Sequence, residues 1–334
     1  MKIAIVGAGA IGGFLGVKLA LDGQDVTFIA RGPNLAAIRA HGMKLIGEDG
    51  KEEVATDLKA VERVEDAGAQ DAVLLTVKAH QVAAVAPDLH HLCHDETSIV
   101  TMQNGIPWWY FHKHGGEHEG RAVKAADPDG SIARHINPAR VIGSVVYPAT
   151  HLAAPGVIQH IEGNRFSLGE LDGSTTPRIT ALSEALGHAG FKAPVIRDVR
   201  SEIWLKLWGN LSFNPISALT HATLVDLCQF PLTRELSAKM MAEAETIARK
   251  LGVAMRISIE RRIAGAEKVG AHKTSMLVDV EQGRPIELDA LMGAVIELGV
   301  LTETPTPHIS AVYATASLLA RTLAATNGRL QIQS

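Results

Sequence analysis

The chain has 334 residues, 46% hydrophobic and 20% charged, with a formal net charge of −4, so it has apolar material for a substantial core and length for two domains. A slightly acidic balance excludes a general nucleic-acid or anionic-membrane surface, which needs concentrated basic residues, and no apolar run reaches the ~18 residues of a membrane span. The two cysteines, Cys93 and Cys228, stand far apart and outside any CxxC spacing, which argues against a disulfide framework or a thiolate zinc site and fits a reducing, cytoplasmic setting.

Lys2 to Val6 reads as a buried strand running into Gly7-x-Gly9-x-x-Gly12, with Phe14 to Leu21 as an amphipathic helix behind it. In such a loop the first glycine permits a tight turn, the second lets the backbone approach a pyrophosphate, and the third allows close helix-to-strand packing. Unpaired amides at the helix N-terminus then face the phosphates. Gly7, Gly9 and Gly12 are therefore expected to bind a dinucleotide. The same glycines interrupt the apolar N-terminus, which lacks a basic leader and does not read as a signal peptide.

The next strand, Asp25 to Ala30, ends in Ala30-Arg31-Gly32, where an acid for the ribose 2′-hydroxyl would stand about 20 residues past the glycines. A guanidinium without a carboxylate suits a 2′-phosphate, so Arg31 favours NADP(H) over NAD(H). The competing reading of Arg31 is a solvated loop arginine.

Leu35 to Ala40 then reads as a helix, and Met43 to Ile46 with Glu53 to Thr56 as a hairpin around Glu48-Asp49-Gly50. Ala72 to Val77 and Ser98 to Met102 read as parallel strands with a helix, Gln81 to His90, between them. Val141 to Val146, Val157 to Ile161 and Arg165 to Leu168 continue as strands, and Arg178 to Ala189 as a helix. From about Asp198 the pattern changes to long helices: Glu202 to Leu211, Thr233 to Leu251, Glu287 to Leu298 and His308 to Leu323. A boundary near residues 194 to 200 thus separates residues 1–197, an α/β NADP-binding domain, from residues 198–334, an all-helical substrate domain, with the active site expected in the cleft between them.

Within Glu202 to Pro215, Lys206, Asn210 and Asn214 recur every four residues and fall in one stripe, beside an apolar stripe of Ile203, Leu207 and Leu211. Trp204, Trp208 and Phe213 make this helix too apolar for full exposure, so the polar stripe is expected to wall a cleft, with Pro215 ending or kinking the helix. The second constellation runs from Ser275 through Asp279 to Glu287 and Asp289. Pro285 suits a first helical position, which puts Glu287 in a first turn where the helix dipole favours its ionised form. Ordinary capping would also explain that acid.

Taken in order, Gly7-x-Gly9-x-x-Gly12, Ala30-Arg31-Gly32, Val77-Lys78-Ala79-x-Gln81, Gln103-Asn104-Gly105, Lys206-x-x-x-Asn210-x-x-x-Asn214-Pro215 and Ser275-Met276-Leu277-x-Asp279 through Glu287-x-Asp289 span nearly the whole chain. With them the sequence resembles the ketopantoate reductases (2-dehydropantoate 2-reductases). The resemblance implies a Rossmann-like N-terminal domain and an all-helical C-terminal domain similar to that of 6-phosphogluconate dehydrogenases. It also implies NADPH-dependent reduction of a 2-oxo acid, ketopantoate to pantoate, in pantothenate biosynthesis.

Carried over by motif, Lys206 looks like the general acid and Glu287 like the carboxylate that orients lysine and substrate. Asn210, Asn214 and Ser275 look like substrate-binding positions, and Asn104 and Lys78 like residues near the nicotinamide and the cleft. The chemistry is consistent on its own terms. Hydride attack on a ketone builds negative charge on oxygen, and a lysine with a reference pKa of ~10.4 is already protonated to quench it.

One departure from the family pattern follows Gly105. The chain continues Ile106-Pro107-Trp108-Trp109-Tyr110-Phe111 and then a polar insertion from His112 to Asp129. An aromatic wall of the substrate pocket would point to another branched or bulkier 2-oxo acid; a hydrophobic lid or subunit contact would leave ketopantoate in place. His90, His91, His94, His112, His114 and His118 lack accompanying carboxylate or thiolate motifs and are expected to be solvated, with no metal. The expected partner is a small 2-oxo acid, and a homodimer is compatible. A non-catalytic NADPH-binding sensor is the alternative from another class, and Lys206 with Glu287 count against it.

Overall fold

The computed structural model describes residues 1–328. They divide into two compact units: one of Met1–Asn104, Trp108–Ala122 and Asp129–Val199, the other of Gly105–Pro107, Val123–Pro128 and the chain from Arg200 onward. The divide is therefore not a single cut, since two short segments of the first 130 residues belong to the helical unit.

The first unit is built on a seven-stranded sheet. Its strands are β1 (Lys2–Val6), β2 (Asp25–Ile29), β5 (Lys59–Val61), β6 (Gln70–Leu75), β7 (Cys93–Thr101), β8 (Val141–Val146) and β11 (Phe166–Glu170), in the order β11-β8-β7-β6-β1-β2-β5. Neighbours run parallel except β11 with β8. Parallel strands covered on both faces need continuous apolar runs, which is why Ile3, Ala4, Ile5 and Val6 or Ala72 to Leu75 can be read directly as strands. The strand order reverses at β1, which has β2 on one side and β6 on the other, the place where open α/β sheets bind ligands. The fold is Rossmann-like.

A second sheet, β4-β3-β10-β9, is formed by the expected hairpin of β3 (Met43–Ile46) and β4 (Glu52–Ala55) with β9 (Ala149–Ala154) and β10 (Val157–Glu162). Helix α1 (Ala10–Leu21) packs against strands of both sheets. Apart from Lys18, which pairs with Glu53, it is accordingly apolar all round, and the expected amphipathic helix is corrected: Phe14, Leu15, Val17 and Leu19 are all buried. Phe14 stacks on His160 of β10 at 4.3 Å and meets the edge of Phe191 at 5.0 Å.

Helix α2 (Gly32–His41) follows β2 as expected. The Gln81 to His90 helix is not continuous. Only Val82–Val85 (α3) is α-helical, between 3-10 turns at Ala79–Gln81 and Ala86–Leu92, because Pro87 removes a helix donor. The insertion carries only a 3-10 turn, Gly116–His118, among its described residues; a short helix, α4 (Ser131–His135), follows it, and α5 (Pro177–His188) matches the last helix expected in this unit.

The second unit is helical: α6 (Val199–Thr220), α7 (Leu224–Gln229), α8 (Pro231–Lys250), α9 (Ile259–Lys268), α10 (Ser275–Glu281), α11 (Ala294–Leu301) and α12 (Pro307–Ala325). Trp204, Trp208, Leu211, Met240, Met241 and Leu291 are fully or almost fully buried in it, and the Trp208 indole N–H donates to the Met241 carbonyl at 2.7 Å. Pro215 neither ends α6 nor marks its last turn, because the helix continues to Thr220. A mid-helix proline costs about 3 kcal/mol, and here buried Phe213, Ile216 and Ala218 on either side offset it. Among the described residues no helix is long and apolar enough to cross a membrane.

Candidate active site

The phosphate loop is set by contacts a side chain would break. Gly7 sits at φ +104°, and a Cβ there would lie 2.7 Å from the Val77 side chain; one at Gly12 would lie 2.0 Å from the Gly7 carbonyl. Thr76 holds the turn by donating from Oγ1 to the Gly7 carbonyl at 2.6 Å and the Val6 carbonyl at 3.1 Å. Gly9 caps α1 without a side-chain bond, and the space where its Cβ would stand is empty to 4 Å. With no acid in the first turn, this helix end presents a positive dipole and uncapped amides, which fit the pyrophosphate of a dinucleotide.

Arg31 is the N-cap of α2, exposed, at the end of β2, and α2 has no acid in its first turn either. Its charge is thus presented as a 2′-phosphate partner would be. Lys78 lies half-buried after β6, its amide donating to Gln81 Oε1 at 3.1 Å. Asn104 lies half-buried in the turn after β7.

Two further residues, Asn34 and Gln103, position these loops. The Asn34 side chain donates to the Ala8 carbonyl in the glycine loop and accepts from the Gly156 amide at 2.7 Å, tying the loop to α2 and to the β9–β10 turn. Gln103 donates to the Leu75 and Val77 carbonyls at 2.8 and 2.9 Å, holding the ends of β6 and β7 together. The partners of both lie far away in sequence, so Gln103 is legible only as a member of the Gln103-Asn104-Gly105 motif and Asn34 carries no motif at all.

In the helical unit, α6 carries Lys206 and Asn210 half-buried and Asn214 buried, while Ile203, Leu207 and Leu211 are buried as the apolar stripe required. Asn214 Nδ2 faces Ser275 Oγ at 3.5 Å, so the first residue of α10 meets the stripe. Burial pushes the Lys206 ammonium down to about 8, against the opposing pull of the Glu287 carboxylate. The structure therefore brings Lys206 together with Glu287, and Asn214 together with Ser275. Asp279, buried, accepts from Arg284 Nε at 2.9 Å and fixes the turn that leads to Glu287.

Glu287 itself is not in a first helical turn. Residues 284–288 are non-helical, and a π-helical turn, Asp289–Gly293, starts two residues later and leads into α11. Ile286 and Leu288 are buried on either side of half-buried Glu287, an alternation that overrides the helix start suggested by Pro285.

The aromatic block divides. Trp109, Tyr110 and Phe111 are core residues, 3% exposed or less; Trp109 donates from Nε1 to Thr101 Oγ1 at 2.9 Å and packs where Gly143 leaves room. The pocket-wall reading is thereby removed for these three. Trp108 alone is half-buried, with its indole N–H enclosed and without a partner among the described residues. His114 and His118 are half-buried against the Phe111 ring at 5.1 and 5.6 Å, not freely solvated, whereas His90 and His91 are exposed. Among the described residues no three His, Cys, Asp or Glu side chains converge as a metal would require.

A Rossmann-like sheet with a glycine loop at its strand reversal, joined in one chain to a helical unit that sets a desolvated lysine ammonium against a carboxylate, defines a nicotinamide-dependent oxidoreductase. Comparison with known proteins narrows this class. Residues 3–173 match the family described as ketopantoate reductase PanE/ApbA, and residues 198–320 match its C-terminal region. The chain is 54% identical over 321 residues to a 2-dehydropantoate 2-reductase of Mesorhizobium japonicum, covering 96% of this chain and 98% of that one.

Two crystal structures agree. A chain from Ralstonia solanacearum MolK2, provisionally named a ketopantoate reductase, has a TM-score of 0.91 at 37% identity and covers 97% of this chain and 98% of its own. The 2-dehydropantoate 2-reductase of Geobacter metallireducens GS-15 has a TM-score of 0.82 at 26% identity, covering 96% of this chain and 99% of its own. The chain belongs to the ketopantoate reductase family.

Proposed function

We propose that this protein reduces 2-dehydropantoate to pantoate with NADPH, a step of pantothenate biosynthesis. The observation that carries the reading is the half-buried Lys206, its ammonium lowered by desolvation to about 8 against the pull of Glu287, in a chain 54% identical to a 2-dehydropantoate 2-reductase. At neutral pH such a lysine is still mostly protonated, yet it gives up its proton more readily than a solvated one, as a general acid should.

NADPH supplies the hydride for the ketone carbon. Lys206 donates a proton from Nζ to the developing alkoxide oxygen, so the carbonyl becomes a secondary alcohol and the lysine is left neutral until solvent reprotonates it. Glu287 holds the ammonium charged and in place, and Asn210, Asn214 and Ser275 bind the substrate's polar groups without a second strong charge. On the nucleotide side, Gly7, Gly9 and Gly12 admit the pyrophosphate, Arg31 takes the 2′-phosphate, and Lys78 and Asn104 serve the nicotinamide end.

A bulkier 2-oxo acid is the second reading, favoured by the unpartnered indole N–H of Trp108. NADPH oxidation over a panel of 2-oxo acids that includes ketopantoate decides between them by the ranking of kcat/KM. No turnover with any member would leave an NADPH-binding protein without reductase activity. A cytoplasmic location goes with this reading, and a homodimer is tested by sedimentation velocity.

A further inference from the structure

We infer that the π-helical turn Asp289–Gly293 is the seat that positions Glu287, and that Tyr313 acts on the site through Asp289 as a positioning residue. The inference rests on Lys206 and Glu287 being the proton-delivering pair. Its observations are independent of that pair. The Leu288 carbonyl accepts from both Met292 N–H at 2.7 Å and Gly293 N–H at 3.3 Å, the second a five-residue spacing that opens the turn. π-Turns are rare and recur at functional sites.

This turn is gripped from two sides, and the helix that follows it from a third. Ile106 N–H donates to the Ala290 carbonyl at 2.8 Å, an approach open only because Gly105, at φ +92°, has no Cβ to meet that oxygen. From α12, Tyr313 OH donates to Asp289 Oδ1 at 2.8 Å. One turn further along, the Glu297 carboxylate accepts from the Lys124 and Ala125 amides at 2.9 and 2.8 Å and holds the Val123–Pro128 segment on α11. Gly293 lies under both neighbours, its missing Cβ 3.4 Å from Tyr313 Oη and 3.6 Å from the Ala125 methyl.

Glu287 precedes Asp289 by two residues and is flanked by buried Ile286 and Leu288, so a shift of the turn is transmitted directly to its carboxylate. Burial and the Asp289 carboxylate raise the Tyr313 phenol, which keeps it a donor throughout the neutral range.

The test uses the full-length enzyme with Tyr313→Phe, Asp289→Ala and Asp289→Asn, the last of which keeps the acceptor for Tyr313. Tyr313→Phe and Asp289→Ala should each lower kcat about tenfold, within the loss that a ~1 Å misplacement can cause, with NADPH Kd within about twofold of wild type. Asp289→Asn should stay near wild type. Hydrogen exchange at Ile106 and residues 287–293 should rise in the first two variants and not in the third, a readout that needs no turnover. Were ketopantoate not a substrate of the wild type, the proposed reaction would fail while exchange still reported the seat. Wild-type kcat in Tyr313→Phe, or an Asp289→Asn loss equal to that of Asp289→Ala, would overturn the inference.

Discussion

Glu287 opposes what burial does to Lys206: burial lowers the lysine ammonium to about 8, and the glutamate limits how far it falls. The reductive reaction needs the protonated lysine. Its kcat/KM should therefore be level below the pKa and decline as pH rises through about 8. Glu287→Gln removes the charge that raises the lysine, so the alkaline midpoint should move to lower pH. Profiles from pH 6 to about 9.5 for both proteins check this, and an unmoved midpoint would separate Glu287 from the lysine's titration.

Lys206→Ala should retain NADPH binding and lose kcat by about 100-fold or more, the usual loss on removing a general acid. Fluorescence titration with NADPH and steady-state turnover on the same folded sample make the comparison. Near-normal turnover would assign the proton to another group.

Arg31→Ala should weaken NADPH by roughly ten- to a hundredfold, the loss of one charge-assisted phosphate contact, while NADH affinity stays unchanged. Because Arg31 is exposed and caps α2 without a side-chain bond, its removal should leave the melting temperature near wild type. Equal weakening of both cofactors would point to an effect on the loop instead.

The two adjacent tryptophans should respond differently. Trp109→Ala empties a buried site and strands Thr101, and should destabilise by about 3 to 5 kcal/mol with no change in substrate ranking. Trp108→Ala should cost less stability; if its indole N–H serves a ligand, the ratio of kcat/KM for ketopantoate to that for a larger 2-oxo acid will change, each misfitted methylene being worth ~1 to 3 kcal/mol. An unchanged ratio would restore ketopantoate as the sole reading. Denaturation curves and paired kinetics on both variants settle the two claims separately.

Much of the fold was legible because its signals are local. Parallel strands buried on both faces read as apolar runs, so β1, β2, β6 and β8 were found within a residue or two. The short edge strand β5 and the half-exposed β9 carry no such run and were missed. The helices α7 and α9 were missed as well: α7 has only six residues, and α9 hides its apolar positions among five charged ones. Glu287 was legible as an acid near a helix start, but not as a residue held outside the helix, because that depends on Ile106 and Tyr313 reaching Ala290 and Asp289 from far along the chain.

By itself the sequence determined the glycine loop, the basic end of β2, the four-residue spacing of Lys206, Asn210 and Asn214, and through these motifs the family, since each depends on residues within a turn or two of one another. Only the tertiary structure decided that Trp109 to Phe111 are core while Trp108 is not, that Asn34 and Gln103 brace the nucleotide loops, and that Lys206 is lowered to about 8. Burial, long-range hydrogen bonds and charge pairing are sums over neighbours brought together by the fold, and a linear pattern carries no record of them.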